Sequence, residues 1–173
     1  MTESDPLAPE LERWIAEFRG PLVGWLASRG ASWREAEDLA MDVFAEAWLG
    51  RERLRAMPAD LPAIGGWLRG IALHLLLAVR RRRGRDALPL AEEPAAPAPT
   101  EDERRDVLRA AFARLPADMQ EILRMHYLEA TTAPQVAALL GITRKAVEGR
   151  LYQARRVLRE HAERALRAEG APR

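Results

Sequence analysis

Along this chain apolar residues recur at helical spacing and never settle into strand-like alternation. Leu11, Trp14, Ile15 and Phe18 form one stripe, which Leu22, Val23, Trp25 and Leu26 continue after Gly20-Pro21 until Gly30 ends the piece. Ser32 and Glu35 spell a capping box ahead of a helix from about 33 to 49, with Ala36, Leu39, Ala40, Val43, Phe44 and Ala47 as its buried face. On its polar side Asp38, Asp42 and Glu46 repeat every four residues, a spacing at which like charges repel by a few tenths of a kcal/mol. Residues 50–66 hold Pro58, Pro62, Gly65 and Gly66 and read as a loop with at most a short turn. A helix from Trp67 to about Arg83 follows, with Trp67, Leu68, Ile71, Ala72, Leu75 and Val79 inward. Residues 84–103 are rich in Pro, Ala and acid without periodicity, and predict a flexible, extended linker. Periodicity resumes with Val107, Leu108, Ala111 and Phe112, breaks at Leu115-Pro116, and restarts with Met119, Ile122, Leu123 and Tyr127. The expected fold is all-α: a helical bundle over 10–85, a linker over 86–103 and a second helical domain over 104–167.

The stretch from Thr132 to Arg159 predicts two helices joined by a tight turn. Thr132 and Gln135 have capping-box spacing, Pro134 falls in the first turn, and Val136, Leu139 and Leu140 line one face. Ala137 sits where the two helices would cross, and Gly141 supplies a left-handed turn residue. Thr143 caps the second helix, whose inner face is Val147, Leu151, Ala154 and Leu158. Lys145, Gly149, Tyr152 and Arg156 then point outward, with Glu148, Gln153 and Arg155 on the flanks. Cations for phosphates and polar forks for base edges suit a helix lying in a DNA major groove. The spacing of Ala137, Gly141 and Val147 favours a helix-turn-helix over an ordinary helical hairpin with a solvated charged face.

Bulk numbers change the picture only in places. The chain has 173 residues, 48% hydrophobic and 31% charged, with a formal net charge of +1. Net charge therefore makes no case for nucleic acid, but its distribution does: Arg80, Arg81, Arg82, Arg83 and Arg85 cluster at one helix end. Cysteine is absent, which removes disulfides and thiolate metal ligands and fits a cytoplasmic location. No basic-then-apolar leader opens the sequence, and no run approaches the roughly 20 uncharged apolar residues of a membrane span. His74, His126 and His161 are scattered, without a metal-binding motif, phosphate loop or nucleophile elbow. Neither an enzyme, a metal site nor a cofactor is expected.

In order and spacing, AEDLAMDVFAEAW (36–48), GWLRGIA (66–72), and LP followed by YLEA and the helix-turn-helix resemble the bacterial sigma factors of the extracytoplasmic-function group. The resemblance covers about 11–85 and 104–160 and implies a sigma-2-like domain, a sigma-4-like domain and a role in transcription initiation. It implies that Asp38, Met41, Asp42 and Glu46 dock on the coiled coil of the largest subunit of core RNA polymerase. It further implies that Ile64, Trp67, His74 and Arg80–Arg83 serve the −10 element. Thr143, Arg144, Lys145, Glu148, Gly149, Tyr152, Gln153, Arg155 and Arg156 would serve the −35 element. Departures from the family pattern stand at Met41 (usually glutamine), Ile64 (near an expected aromatic), His74 and Ala78 (usually asparagine and aspartate) and Glu148 (commonly basic or polar). An anti-sigma protein is a further partner the resemblance allows. The rival expectation is a stand-alone helix-turn-helix regulator whose N-terminal helices dimerise or sense a ligand.

Overall fold

The computed structural model describes residues 8–54, 60–86, 103–127 and 129–169. Among these every regular element is helical: α1 (Ala8–Ser28), α2 (Trp33–Leu49), a 3-10 turn (Arg51–Arg53), α3 (Leu61–Asp86), α4 (Glu103–Ala113), α5 (Ala117–Tyr127), α6 (Ala133–Leu140) and α7 (Arg144–Glu169). The expected linker lies outside the described residues except at its two ends, which belong to α3 and α4.

Helix α2 forms where its sequence says it should. Ser32 Oγ accepts from the Glu35 N–H at 3.4 Å while Glu35 Oε2 accepts from the Ser32 N–H at 2.9 Å. Those bonds satisfy two of the donors a helix start leaves open. They also hold the Glu35 carboxyl below its ordinary range, with Arg83 adding to the effect. The buried face is the expected set from Ala36 to Ala47.

One proline inside a helix needs a physical reason, and one boundary differs from expectation. Gly20-Pro21 does not interrupt α1, which runs unbroken past Pro21. An interior proline costs on the order of 3 kcal/mol, but Leu22, Val23, Trp25 and Leu26 beyond it are all buried. Burial of four large side chains outweighs that cost at about 1.5–3 kcal/mol each. Helix α3 begins at Leu61 rather than Trp67, because Asp60 Oδ1 accepts from the Ala63 N–H at 3.2 Å and Pro62 fits the first turn. The early start turns Gly65 and Gly66 from loop residues into helical ones and puts Ile64 in the core. Leu76, unassigned by periodicity, is buried as well, while Trp67, Ile71, Leu75 and Val79 are half-buried against the core.

The stretch Leu61–Gly84 is, against the sequence expectation, long and apolar enough to cross a membrane by length and composition alone. In the structure it packs on α1, α2 and α6 and contributes Ile64, Leu68, Ala72 and Leu76 to the protein core.

The helix-turn-helix follows its local signals. The Thr132 N–H donates to Gln135 Oε1 at 3.0 Å, Gly141 adopts φ 67° and ψ 33°, and Thr143 Oγ1 accepts from the Ala146 N–H at 3.2 Å. Val147, Leu151 and Ala154 are buried, and Leu158 is half-buried.

The two sets of helices do not stand apart. One apolar core contains Trp14, Phe18 and Phe44 from the N-terminal helices together with Ile122, Met125, Leu139 and Val147 from the C-terminal ones. Helix α1 packs on α2 and α3 and also on α5 and α6, and α3 packs on α6.

Candidate nucleic-acid interface

Because Val147, Leu151 and Ala154 fix the inner side of α7, its outer side is determined. Thr143, Arg144, Lys145, Glu148, Gly149, Tyr152, Gln153, Arg155 and Arg156 are all exposed. The structure thus brings the nine expected −35 residues onto one solvent-facing surface at the start of α7. No Cβ-sized obstacle lies near Gly149, so a backbone or base edge could approach it closely.

Four of the nine already have side-chain partners, Arg156 among them through Glu160 at 3.7 Å. Arg144 Nε donates to Glu148 Oε1 at 2.7 Å, an i,i+4 pair on the exposed face. It leaves the second carboxylate oxygen as an acceptor. Arg155 Nε donates to Tyr127 Oη at 2.6 Å, and its guanidinium lies 5.4 Å from the centroid of the same ring. Tyr127, grouped with Met119, Ile122 and Leu123 by helical spacing, is exposed and anchors Arg155. Helical spacing could not reveal this, since the tyrosine's partner lies on another helix.

Behind Tyr127 sits His126, its ring edge-on to the tyrosine with centroids 4.9 Å apart. Burial, reinforced by the nearby Arg155 charge, pushes the His126 pKa down from 6.5. The folded state therefore binds this proton less readily than the unfolded chain. Stability tied to His126 is present above about 6.5 and declines as pH falls through that value toward the depressed folded pKa. Lowering pH from 7.5 to 5.5 is expected to reduce Tm more for the wild type than for His126→Asn, as followed by circular dichroism. An equal drop in both proteins would remove His126 as a source of acid sensitivity.

The groove between α4, α5 and α7 was also not anticipated. It has a volume of about 640 Å³ and is lined by Leu108, Phe112, Leu123, Tyr127 and Leu158, with arginines around it. Leu108, expected on the inward stripe of α4, is 49% exposed and lines this groove.

In the N-terminal helices, Asp38, Met41, Asp42 and Glu46 are all exposed along one side of α2. Three carboxylates and a thioether thus form a continuous stripe. The expected −10 residues are divided. His74 and Arg80–Arg83 are exposed, but Trp67 is half-buried, edge-on to Trp14 with centroids 6.0 Å apart. Ile64 has no exposed surface, which corrects its expected place on a DNA-facing loop in this conformation. Within the arginine cluster, Arg80 donates to the Arg29 carbonyl and Arg83 pairs with Glu35, so both reach back to the bundle. Arg85 carries no described side chain. Among the described residues no group of His, Cys, Asp and Glu is placed to hold a metal ion.

Residues 105–158, which contain α5, the helix-turn-helix and most of α4, match the family described as Sigma-70, region 4. Over those residues the chain carries a sigma-70 region 4 domain. Its region 4 domain therefore accounts for the exposed face of α7 and for the turn at Gly141. Across 138 residues the chain is 35% identical to a protein of Xanthomonas campestris pv. campestris described as a probable RNA polymerase sigma factor, RfaY. That match takes in 72% of this chain but only 33% of RfaY, so the chain spans about a third of that relative's length. Among solved structures, one similar to it is the sigma factor RpoE in complex with the anti-sigma factor NepR from Bartonella quintana. The identity is 21%, over 90% of this chain and 98% of that one, with a TM-score of 0.48. Another is CnrH in complex with the cytosolic domain of CnrY, at 23% identity over 93% of this chain and 89% of that one, with a TM-score of 0.47.

Proposed function

We propose that this chain is a transcription initiation factor of the extracytoplasmic-function group, which binds core RNA polymerase and directs it to promoters through −10 and −35 elements. The observation that carries the reading is a sigma-70 region 4 domain whose helix-turn-helix leaves its whole outward face open to a DNA groove. The acidic stripe on α2 supports it, because three carboxylates on one exposed helix side suit a basic protein partner. In this reading residues 10–85 serve the polymerase and the −10 element, and 104–167 serve the −35 element. Arg81 and Arg82, which extend from the end of α3, supply sequence-independent attraction to phosphates.

Glu148 is the base reader of this assignment. A carboxylate in a negatively charged groove is unfavourable unless it accepts from a base, and the N4 amino group of cytosine is the available donor. Arg144 holds one of its oxygens, which fixes the carboxylate and leaves the other oxygen to the base.

Run-off transcription with purified core polymerase on a promoter library tests the function. Promoter-specific transcripts that depend on the chain are expected, and DNA binding without polymerase-dependent transcripts would favour a stand-alone regulator. In the same library Glu148→Gln is expected to change the preference at one −35 base pair, weakening the native site by about 1–3 kcal/mol. Identical preferences for wild type and variant would make Glu148 a solvated flank.

A further inference from the structure

Tyr127 ends α5, ahead of the helix-turn-helix, yet its hydroxyl is bonded to α7. The Oη accepts from Arg155 Nε at 2.6 Å, and the guanidinium stands 5.4 Å from the ring centroid. The same ring is edge-on to His126, with centroids 4.9 Å apart. These contacts hold the hydroxyl in place before any partner arrives, so little side-chain freedom is left to lose on binding. Helix α5 already gives Ile122, Leu123 and Met125 to the core, whereas Tyr127 is 57% exposed and adds little there. A phenolic oxygen that accepts one bond keeps its own hydrogen to donate. Arg155, with Nε committed, keeps both terminal Nη groups. The pair therefore presents donors, one set from α5 and one from α7, on two helices that pack together. Arg105, Arg109, Arg124 and Arg159 line the groove that Tyr127 and Arg155 share, and no carboxylate is among the described residues around it.

Fixed donors amid positive charge suit an anion with more than one oxygen. Where α7 lies in a DNA groove, that anion is a backbone phosphate. Arg155 stands one turn beyond Tyr152, on the flank of the outward face, and a helix seated in the major groove meets the sugar-phosphate strand along its flanks. A phosphate that reaches Arg155 also reaches Tyr127, because 2.6 Å separates their bonded atoms. Paired donors of this kind match the two non-bridging oxygens of one phosphate. The end of α5 alone would repel it, since a helix C-terminus carries partial negative charge. Arg155 offsets that charge, and Thr131 donates its hydroxyl to the Met125 carbonyl, which covers part of the same helix end.

We infer that Tyr127 is a further DNA-binding residue, which forms with Arg155 a two-helix clip for one backbone phosphate beside the −35 element. Its hydroxyl donates to a phosphate oxygen and, through the bond it accepts, turns the Arg155 guanidinium onto the same phosphate. The inference rests on the sigma-factor reading above, and its test separates the two. The full chain bound to core polymerase is titrated with promoter DNA over a range of salt, as wild type, Tyr127→Phe, Arg155→Ala and the double variant. Tyr127→Phe keeps the ring and loses one hydrogen bond to a charged group, so it is expected to weaken binding about tenfold. That loss should be the same on every −35 sequence, at unchanged Tm and unchanged salt slope, because no charge is removed. Arg155→Ala should lower the salt slope by about 1. The double variant should lose less than the product of the two single losses, since each group is aligned by the other. Neutral methylphosphonates placed in turn along the −35 strands should reveal one position where the wild type loses affinity and Tyr127→Phe loses little more. Equal affinity of wild type and Tyr127→Phe, full additivity with Arg155→Ala, or no such phosphate position would overturn the clip. If the chain brings no polymerase to promoters, the sigma-factor reading falls, and the same variants and methylphosphonates are measured on duplex DNA with the chain alone. There a Tyr127→Phe loss that follows one phosphate sustains the clip, and its absence, or the absence of DNA binding, overturns it.

Discussion

Leu139→Ala is expected to lower stability by about 2–5 kcal/mol, and to do so for both halves of the molecule at once. Leu139 is fully buried in α6, and its Cα lies against Gly65 of α3. Removing its side chain deletes apolar contacts and leaves a cavity that the close backbone packing on this side cannot collapse to fill. For a chain of this size the loss corresponds to a fall in Tm of about 10 °C. The five tryptophans, at 14, 25, 33, 48 and 67, all belong to the N-terminal helices. Tryptophan fluorescence therefore reports on helices that do not contain the substitution. Thermal unfolding followed by fluorescence and by circular dichroism is expected to shift by the same amount. A shift in circular dichroism with an unmoved fluorescence transition would mean that the two sets of helices unfold independently.

The double substitution Asp38→Arg and Asp42→Arg is expected to weaken binding to core RNA polymerase at least thirtyfold while leaving helicity and Tm nearly unchanged. Both carboxylates are exposed on α2, and neither forms an ion pair among the described residues. On a free surface such charges contribute little. At a desolvated interface, replacing one partner of a charge pair costs about 2–5 kcal/mol and reversal adds repulsion. Binding measured by fluorescence anisotropy at two salt concentrations provides the check. Unchanged affinity would remove the α2 stripe from the polymerase interface.

How much of this could be read in advance depended on the range of the signal. The buried face of α2 and the capping residues Ser32 and Glu35 were legible because every interaction involved lies within a few residues. The same holds for Thr132, Gly141 and Thr143, whose backbone roles are local, and for the outward face of α7, which its inner face fixes by geometry. Gly65 was placed in a loop, and Gly20 was given no packing role, for the opposite reason. A glycine needed for a turn and a glycine needed for close approach look alike until the partner is known. Here the partners, at Thr131 and Leu139, are more distant in the chain than any pattern reaches. Ile64 was lost with Gly65, since moving the helix start by one and a half turns changes which side chains face the core. Tyr127 and Arg155 likewise found each other across two helices.

The unbroken course of α1 past Pro21 has a consequence for synthesis on the ribosome. This helix leaves the exit tunnel ahead of α2 and α3, which soon cover part of its apolar surface. The side bearing Gly20 and Gly24 has to wait for α5 and α6, which are made roughly a hundred residues later, about 5–20 s at ordinary elongation rates. For that interval the nascent chain presents an apolar strip with no partner, so a pause or truncation between α3 and α5 should raise its demand for chaperones, whereas the same interruption after α6 should not.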